Sequence, residues 1–234
     1  MKGYTRVCAA LAAVFMALLP LRAAGEGECC FSNDAEHHVY ACGDSAGKRV
    51  ALTFDDGPHP VYTDRILKIL DDYGVRATFF VIGQNAGLYP EVLDRIAAAG
   101  HEIGCHTYTH PHLAGLSEAA LTAEIEKTLR VLDSHGIKAS RFRPPEGYCG
   151  KTVISAAGKT GLDVILWSVD TSDWRCPGVN AIVKTVKTTL DGGGIILMHD
   201  YVSGKSGTPE ALEILLPWLL SEGYEPVTVG ELLA

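Results

Sequence analysis

The sequence predicts an α/β protein, a distorted or incomplete (β/α) barrel with about seven parallel strands. Three observations carry this. Short apolar runs alternate with helix-length amphipathic segments along the 234 residues, and strands that run parallel need such crossovers between them. The runs "VILW" and "GIILM" are apolar throughout instead of alternating, as strands buried on both faces are. Finally, Asp55, Asp56, His106, Arg143, Asp170, Asp173 and His199 all fall at or just after predicted strand ends. In a parallel barrel those ends share one face, where loops from separate strands build a single site.

The strands are predicted over residues 50–54, 77–82, 101–105, 140–143, 163–169, 194–199 and 224–229. Helical patterns fill the intervals: 63–74 with Thr63 as cap and Gly74 as stop, 89–100 with Pro90 near its start, and 117–136 from Ser117 to Gly136. Seven units are one short of a full ring, hence the expectation of an incomplete one.

The N-terminus has a basic start (Lys2, Arg6) and an apolar run from Val7 to Leu21, too short for a comfortable bilayer span and placed where a secretory signal lies. Residues 1–25 are read as a signal peptide, or as an uncleaved anchor tethering the chain to a membrane. Residues 26–48, rich in Gly, Ser and charge without a period, form a lead segment, and 49–234 one domain. The expected location is secreted or cell-envelope associated. Removing residues 1–25 takes away Lys2, Arg6 and Arg22 and no acid, leaving 17 basic and 28 acidic residues. Nucleic acid is a poor partner for such a chain, because binding it means neutralising phosphates with Lys and Arg. Of the seven cysteines, Cys8 lies in the signal segment. Local pairing among Cys29, Cys30 and Cys42 is open, and zinc ligation by thiolate is disfavoured because no C-x-x-C pair exists.

Two short runs carry chemistry. In "HTYTH", His106 and His110 are four apart, which on a helix would place both imidazoles on one face where they can share an ion; alone, the pair also reads as surface or core histidines. In "TFDDGPHP", Asp55 and Asp56 end an apolar strand and can converge only where Gly57-Pro58 breaks it; alone, this reads as an Asp-rich turn. Together, one carboxylate and two imidazoles make three protein ligands with an open position, the arrangement of a catalytic zinc, and leave the second carboxylate free to act as a base. His59 and His112 flank these motifs as rim residues, while Trp167 and Trp218 read as core.

With "RPPEG", "DTSDW" and "LMH" added, the five motifs resemble, in order and spacing, those of the polysaccharide deacetylases, carbohydrate esterase family four. The resemblance spans residues 50–234. It implies that Asp56, His106 and His110 are ligands of a divalent metal, commonly zinc, that Asp55 is the general base toward water on that metal, and that Arg143 pairs with Asp55. Asp173 would tune a general acid, His199, and Trp174 would wall the groove. Pro145, Glu146, Gly147, Tyr148 and Leu197 would complete the substrate-binding set. The family usually has Tyr where this chain has Glu146; the backbone N–H at that position helps hold the oxyanion and survives the change, but the groove gains a negative charge. Cys105, Cys149 and Cys176 lie beside three motifs and should ring the same mouth, with a Cys149–Cys176 disulfide as one expectation.

The implied activity is metal-dependent removal of N-acetyl groups from an amino-sugar polymer, with peptidoglycan ahead of chitin oligomers, by a monomer. Acetylxylan O-deacetylation, hydrolysis of small amides and non-catalytic carbohydrate binding on the same fold are the alternatives.

Overall fold

The computed structural model describes residues 38–234. The segment read as a signal peptide or anchor, with Cys29 and Cys30, lies outside the described residues. In chain order the elements are β1 (Val39–Tyr40), β2 (Arg49–Asp55), α1 (Tyr62–Asp72), β3 (Thr78–Val81), α2 (Gly83–Leu88), α3 (Pro90–Ala98), β4 (Glu102–Cys105), α4 (Glu118–Ser134), β5 (Arg141–Phe142), α5 (Lys151–Lys159), β6 (Asp163–Ile165), β7 (Val169–Asp170), α6 (Val179–Thr189), β8 (Ile195–His199), α7 (Thr208–Ser221), β9 (Glu225–Val227) and α8 (Val229–Leu232). Short 3-10 turns cover Pro145–Gly147 and Asp173–Arg175.

The strands run in the order β1-β6-β5-β4-β3-β2-β8-β7, with β9 also pairing with β2. Every named strand pair is parallel. This is the incomplete α/β barrel expected. One predicted strand, 163–169, is in fact two. Leu166 still donates its N–H to Tyr40 of β1, at one border of the sheet, and Ser168 already donates to Ile195 of β8, near the other. Two residues span ~7 Å, so the borders nearly meet and the chain crosses between them at Trp167. The run reads as one strand because both halves are apolar. Val39–Tyr40, in the stretch read as lead segment, forms β1 against β6.

Side chains alternate across each strand. In β2, Val50, Leu52 and Phe54 face the main core beneath α1, α6 and α7, while Ala51 packs into a smaller cluster with Phe80, Ile165 and Ile195. Thr53 and Asp55 share the phase of Ala51 and so point into the barrel. In β8, Ile196 and Met198 join the main core, leaving Leu197 and His199 on the inner face. Helices bury matching stripes: Ile66, Ile69 and Leu70 in α1, and Leu121, Ile125, Thr128 and Leu132 in α4. Ser117, where the predicted helix begins, caps α4, accepting from the Ala120 N–H at 3.2 Å. Thr63 does not cap α1; Val61 occupies that position, and the buried Thr63 hydroxyl donates to Asp200 at 2.5 Å.

The cysteine expectations need correction. Cys42 is disulfide-bonded, but Cys105, Cys149 and Cys176 are free. Cys149 and Cys176 sit on separate turns, and Cys176, at φ 52°, lies with its sulfur against Gly204. Cys105 does not reach the mouth. It is buried among apolar side chains, and burial pushes its thiol up to about 12. Among the described residues, no helix is long and apolar enough to cross a membrane.

Candidate active site

The parallel register of β2 and β8 sets Asp55 beside His199, so two distant motifs meet at the carboxyl end of the barrel. Beneath them lies Arg143, fully buried. Its Nη1 donates to Asp55 Oδ1 and to Thr53 Oγ1, each at 2.8 Å, and its Nη2 and Nε donate to the carbonyls of Leu166 at 3.0 Å and Ile165 at 3.3 Å. The guanidinium also stacks 4.2 Å from the Phe80 ring centroid. A buried charge is tolerable when its donors are matched in this way.

Past Asp55 the backbone turns sharply, with Asp56 at φ 76°. Gly57 is required here: a Cβ would lie 2.1 Å from Asp200 Oδ2. Asp200 is itself buried, and burial raises its pKa to about 7. His106 follows β4 directly. Its Nδ1 lies 2.7 Å from the Arg143 carbonyl, which must accept a proton from it, and this leaves Nε2 as a lone-pair donor. That Nε2 stands 3.4 Å from Asp56 Oδ1, and His110 Nε2 stands 3.5 Å from the same oxygen. The helical pairing inferred for the two histidines is not how they meet. Residues 106–110 form an irregular loop in which Thr107 and His110 have φ of 63° and 53°, and the Thr107 hydroxyl accepts from the His110 N–H.

Asp56, His106 and His110 each offer one ligand atom, all within 4.8 Å of one another. Asp56 Oδ1 is buried without a hydrogen-bond partner among the described residues. Burial works to raise the Asp56 pKa, but contact with His106 and the charges of the surrounding histidines outweigh it and hold it below the usual carboxylate range. Burial likewise opposes charge on His106, yet Asp55 and Asp56 pull its pKa upward. Two adjacent carboxylates thus draw positive charge to this point. An orphaned oxygen facing two imidazole nitrogens fits a divalent cation such as zinc.

Across the site, the buried Asp173 accepts from His199 twice, at its backbone N–H (2.8 Å) and at Nδ1 (2.7 Å), and once from the Thr208 hydroxyl (2.6 Å). Burial alone would lower the His199 pKa; the hydrogen bond and charge of Asp173, aided by Asp55 and Asp56, raise it instead to about 9.

These groups open into a cavity of about 480 Å³ lined by Asp55, Asp56, His106, His110, Pro144, Glu146, Trp167, Asp170, Trp174, Leu197 and His199. Pro145, Gly147 and Tyr148 do not line it: Pro145 is buried, Gly147 packs on the Trp167 ring, and Tyr148 is exposed. Conversely, Trp167 is half-buried wall instead of core, and sequence reasoning missed Pro144, Asp170 and Trp167 as lining residues. Only Asp170 carried a signal, its place at a strand end. Trp218 packs partly buried on the main core, as expected. His112 sits at the rim, its Nδ1 2.8 Å from Glu146. All six non-glycine residues with positive φ among the described residues (Asp56, Thr107, His110, Glu146, Ser172, Cys176) lie in the loops around this cavity, as backbone strain concentrated at functional sites does.

Comparison with known proteins agrees with this picture. The family described as polysaccharide deacetylase matches residues 43–165. A peptidoglycan-N-acetylglucosamine deacetylase of Bacillus cereus is 39% identical over 188 residues, covering 80% of this chain and 88% of that protein. A chitooligosaccharide deacetylase of Bradyrhizobium is 39% identical over 197 residues, 78% of this chain and 90% of that one. A crystal structure described as a CE4 family pseudoenzyme from Bacillus anthracis superposes with a TM-score of 0.79 at 32% identity, covering 84% of this chain and 69% of that chain. With the strand order, the five motifs and these matches in agreement, the chain belongs to the polysaccharide deacetylase family.

Proposed function

We propose that the protein is a metal-dependent N-deacetylase that hydrolyses acetamide groups on amino-sugar polymers, peptidoglycan or chitin oligomers. The observation that carries this is the orphaned Asp56 oxygen facing two imidazole nitrogens, with an Arg-locked carboxylate on one side and an Asp-held imidazole on the other. Asp56, His106 and His110 would hold the cation, with zinc the expectation for this donor set. When bound, such a cation supplies Lewis acidity and makes water acidic enough to ionise near neutral pH.

The remaining work falls to the chain. Asp55 keeps Oδ1 on Arg143 and has Oδ2 3.8 Å from His106 Nε2, so Oδ2 is the free oxygen that takes a proton from the attacking water. Water oxygen bonds to the acetyl carbon, and the C–N bond breaks. His199, its Nδ1 tied to Asp173, delivers a proton from Nε2 to the leaving nitrogen; an amine is too poor a leaving group to depart without one. Leu197 and the two tryptophans form the apolar wall against the acetyl methyl and sugar face, and the Glu146 backbone N–H supports the oxyanion.

Non-catalytic binding is the second reading, favoured by the pseudoenzyme among the solved relatives. Against it stands the presence in this chain of Asp55, Asp56, His106, His110, Arg143, Asp173 and His199, one residue for each role proposed above. Acetate release from chitin oligomers and peptidoglycan, with and without a chelator, separates the two. Release abolished by chelation and restored by zinc is expected. Sugar binding without release would establish the binder instead.

A further inference from the structure

We propose that Glu146, together with Asp170, sets the specificity of the groove by selecting glycans in which the unit beside the acetylated one already bears a free amine. This deepens the deacetylase reading and rests on it.

Among the described residues, four carboxylates and no Lys or Arg line the cavity. The inner two are matched with positive charge: Asp55 by Arg143, and Asp56 by the imidazole cluster that fits a cation. The outer two are not. Among the described residues, Asp170 accepts only from neutral donors of Ser172, its N–H at 2.7 Å and its hydroxyl at 3.4 Å. Glu146 meets His112 at 2.8 Å, but the two side chains are 52% and 86% exposed, so water weakens the pair, and a neutral imidazole donates the same bond without cancelling the charge. Arg175 lies 4.5 Å from the Trp174 ring centroid and does not line the cavity.

Glu146 is also well placed to select. Its backbone is held at φ 58° behind the buried Pro144 and Pro145, so the residue is fixed at the cavity wall. Trp167 and Trp174 supply the aromatic faces on which a pyranose ring lies and toward which an ammonium is drawn. Hydrolysis of the acetamide leaves an amine, which is an ammonium in part at neutral pH and more fully below it. Each turnover therefore creates the neighbour that this rim attracts, and a partly deacetylated chain becomes a better substrate than a fully acetylated one. A glycan bearing free carboxylates beside the reacting unit is repelled, so of the two proposed polymers the rim favours chitin oligomers over strands with uncapped muramic acid.

The test compares kcat/KM of the zinc-loaded protein for fully acetylated chitotetraose, for the tetramer with one adjacent free amine, and for a muramic acid-containing tetrasaccharide. The amine-bearing tetramer should be preferred by about twofold to fivefold for each carboxylate, the range of an exposed ion pair, with the anionic sugar last. Glu146→Gln and Asp170→Asn should each remove their share, and salt at about 1 M, where the screening length is ~3 Å, should erase the preference in the unaltered protein. Each variant is read as a ratio of two substrates on one preparation, so a loss of folded protein cancels. A preference for the fully acetylated or the anionic sugar, or a ratio unmoved by both substitutions and by salt, overturns the inference. Absence of acetate from every substrate overturns the deacetylase reading with it, whereas turnover with an unchanged ratio overturns the charge selection alone.

Discussion

In an Asp173→Asn protein, the His199 imidazole keeps a partner of the same shape but loses the negative charge beside Nδ1. The buried imidazole owes its pKa of about 9 to Asp173 working against burial, with smaller help from Asp55 and Asp56. Once Asp173 is neutral, burial is opposed only by the weaker pull of Asp55 and Asp56, so the pKa falls from about 9 toward the ordinary 6.5, a drop of up to ~2.5 units or ~3.4 kcal/mol. The sign follows from the role. A general acid must carry its proton, so a raised pKa keeps the protein active up to that pKa, and activity is lost as pH climbs through it. At pH 8 a group of pKa 9 is ~90% protonated and one of 6.5 only ~3%, an activity loss of up to about thirtyfold that shrinks toward pH 6. A bound dication offsets Asp55 and Asp56 and lowers both alkaline limbs, but the gap due to Asp173 persists. The assay is kcat/KM against pH for both zinc-loaded proteins, with His199 titrated in parallel by NMR. Coincident alkaline limbs would refute the assignment of His199 as acid and of Asp173 as its tuner.

Asp55→Asn should retain zinc and lose turnover by at least ~100-fold, the scale of a general base; near-normal activity would remove Asp55 from that role. Zinc at about 100 times its dissociation constant adds ~2.7 kcal/mol to stability, raising the melting temperature by about 5–10 °C. The His106→Ala protein should show little of that shift, and an undiminished one would place the cation elsewhere. Arg143→Met leaves Asp55 buried and unpaired, which costs about 3–5 kcal/mol and is readable as a shift in the guanidinium midpoint; a loss below ~1 kcal/mol would contradict the buried pairing. Gly57→Ala drives a methyl into Asp200 and should destabilise by about 1–3 kcal/mol, with weakened zinc binding because the same corner presents Asp56. Unchanged unfolding would show that the corner yields freely.

The parts of the site legible in the sequence were those governed by short-range rules. Asp55, His199 and Arg143 sit where an apolar run stops, and in a parallel sheet such stops share one face. Ser117 follows the capping rule and caps. What escaped was decided by loop conformations that spacing does not specify and by contacts remote in sequence. Spacing suggested a helical turn for His106 and His110, but the chain uses left-handed residues there, held by the Thr107 hydroxyl. Thr63 looked like a cap because nothing in its neighbourhood announces Asp200, 137 residues away. Trp167 looked like core because its run gives no hint that the chain changes sheet borders there. The cysteines misled because proximity to motifs says nothing of sulfur geometry.

The crossing at Leu166–Ser168 ties folding to reactivity. The carbonyls of Ile165 and Leu166, which begin it, are acceptors for the guanidinium that steadies Asp55, and its tryptophan is a wall of the cavity. Shifting this strap would loosen the seam of the sheet and the aim of the proton acceptor together, so lengthening it by even one residue should register in unfolding and in turnover alike.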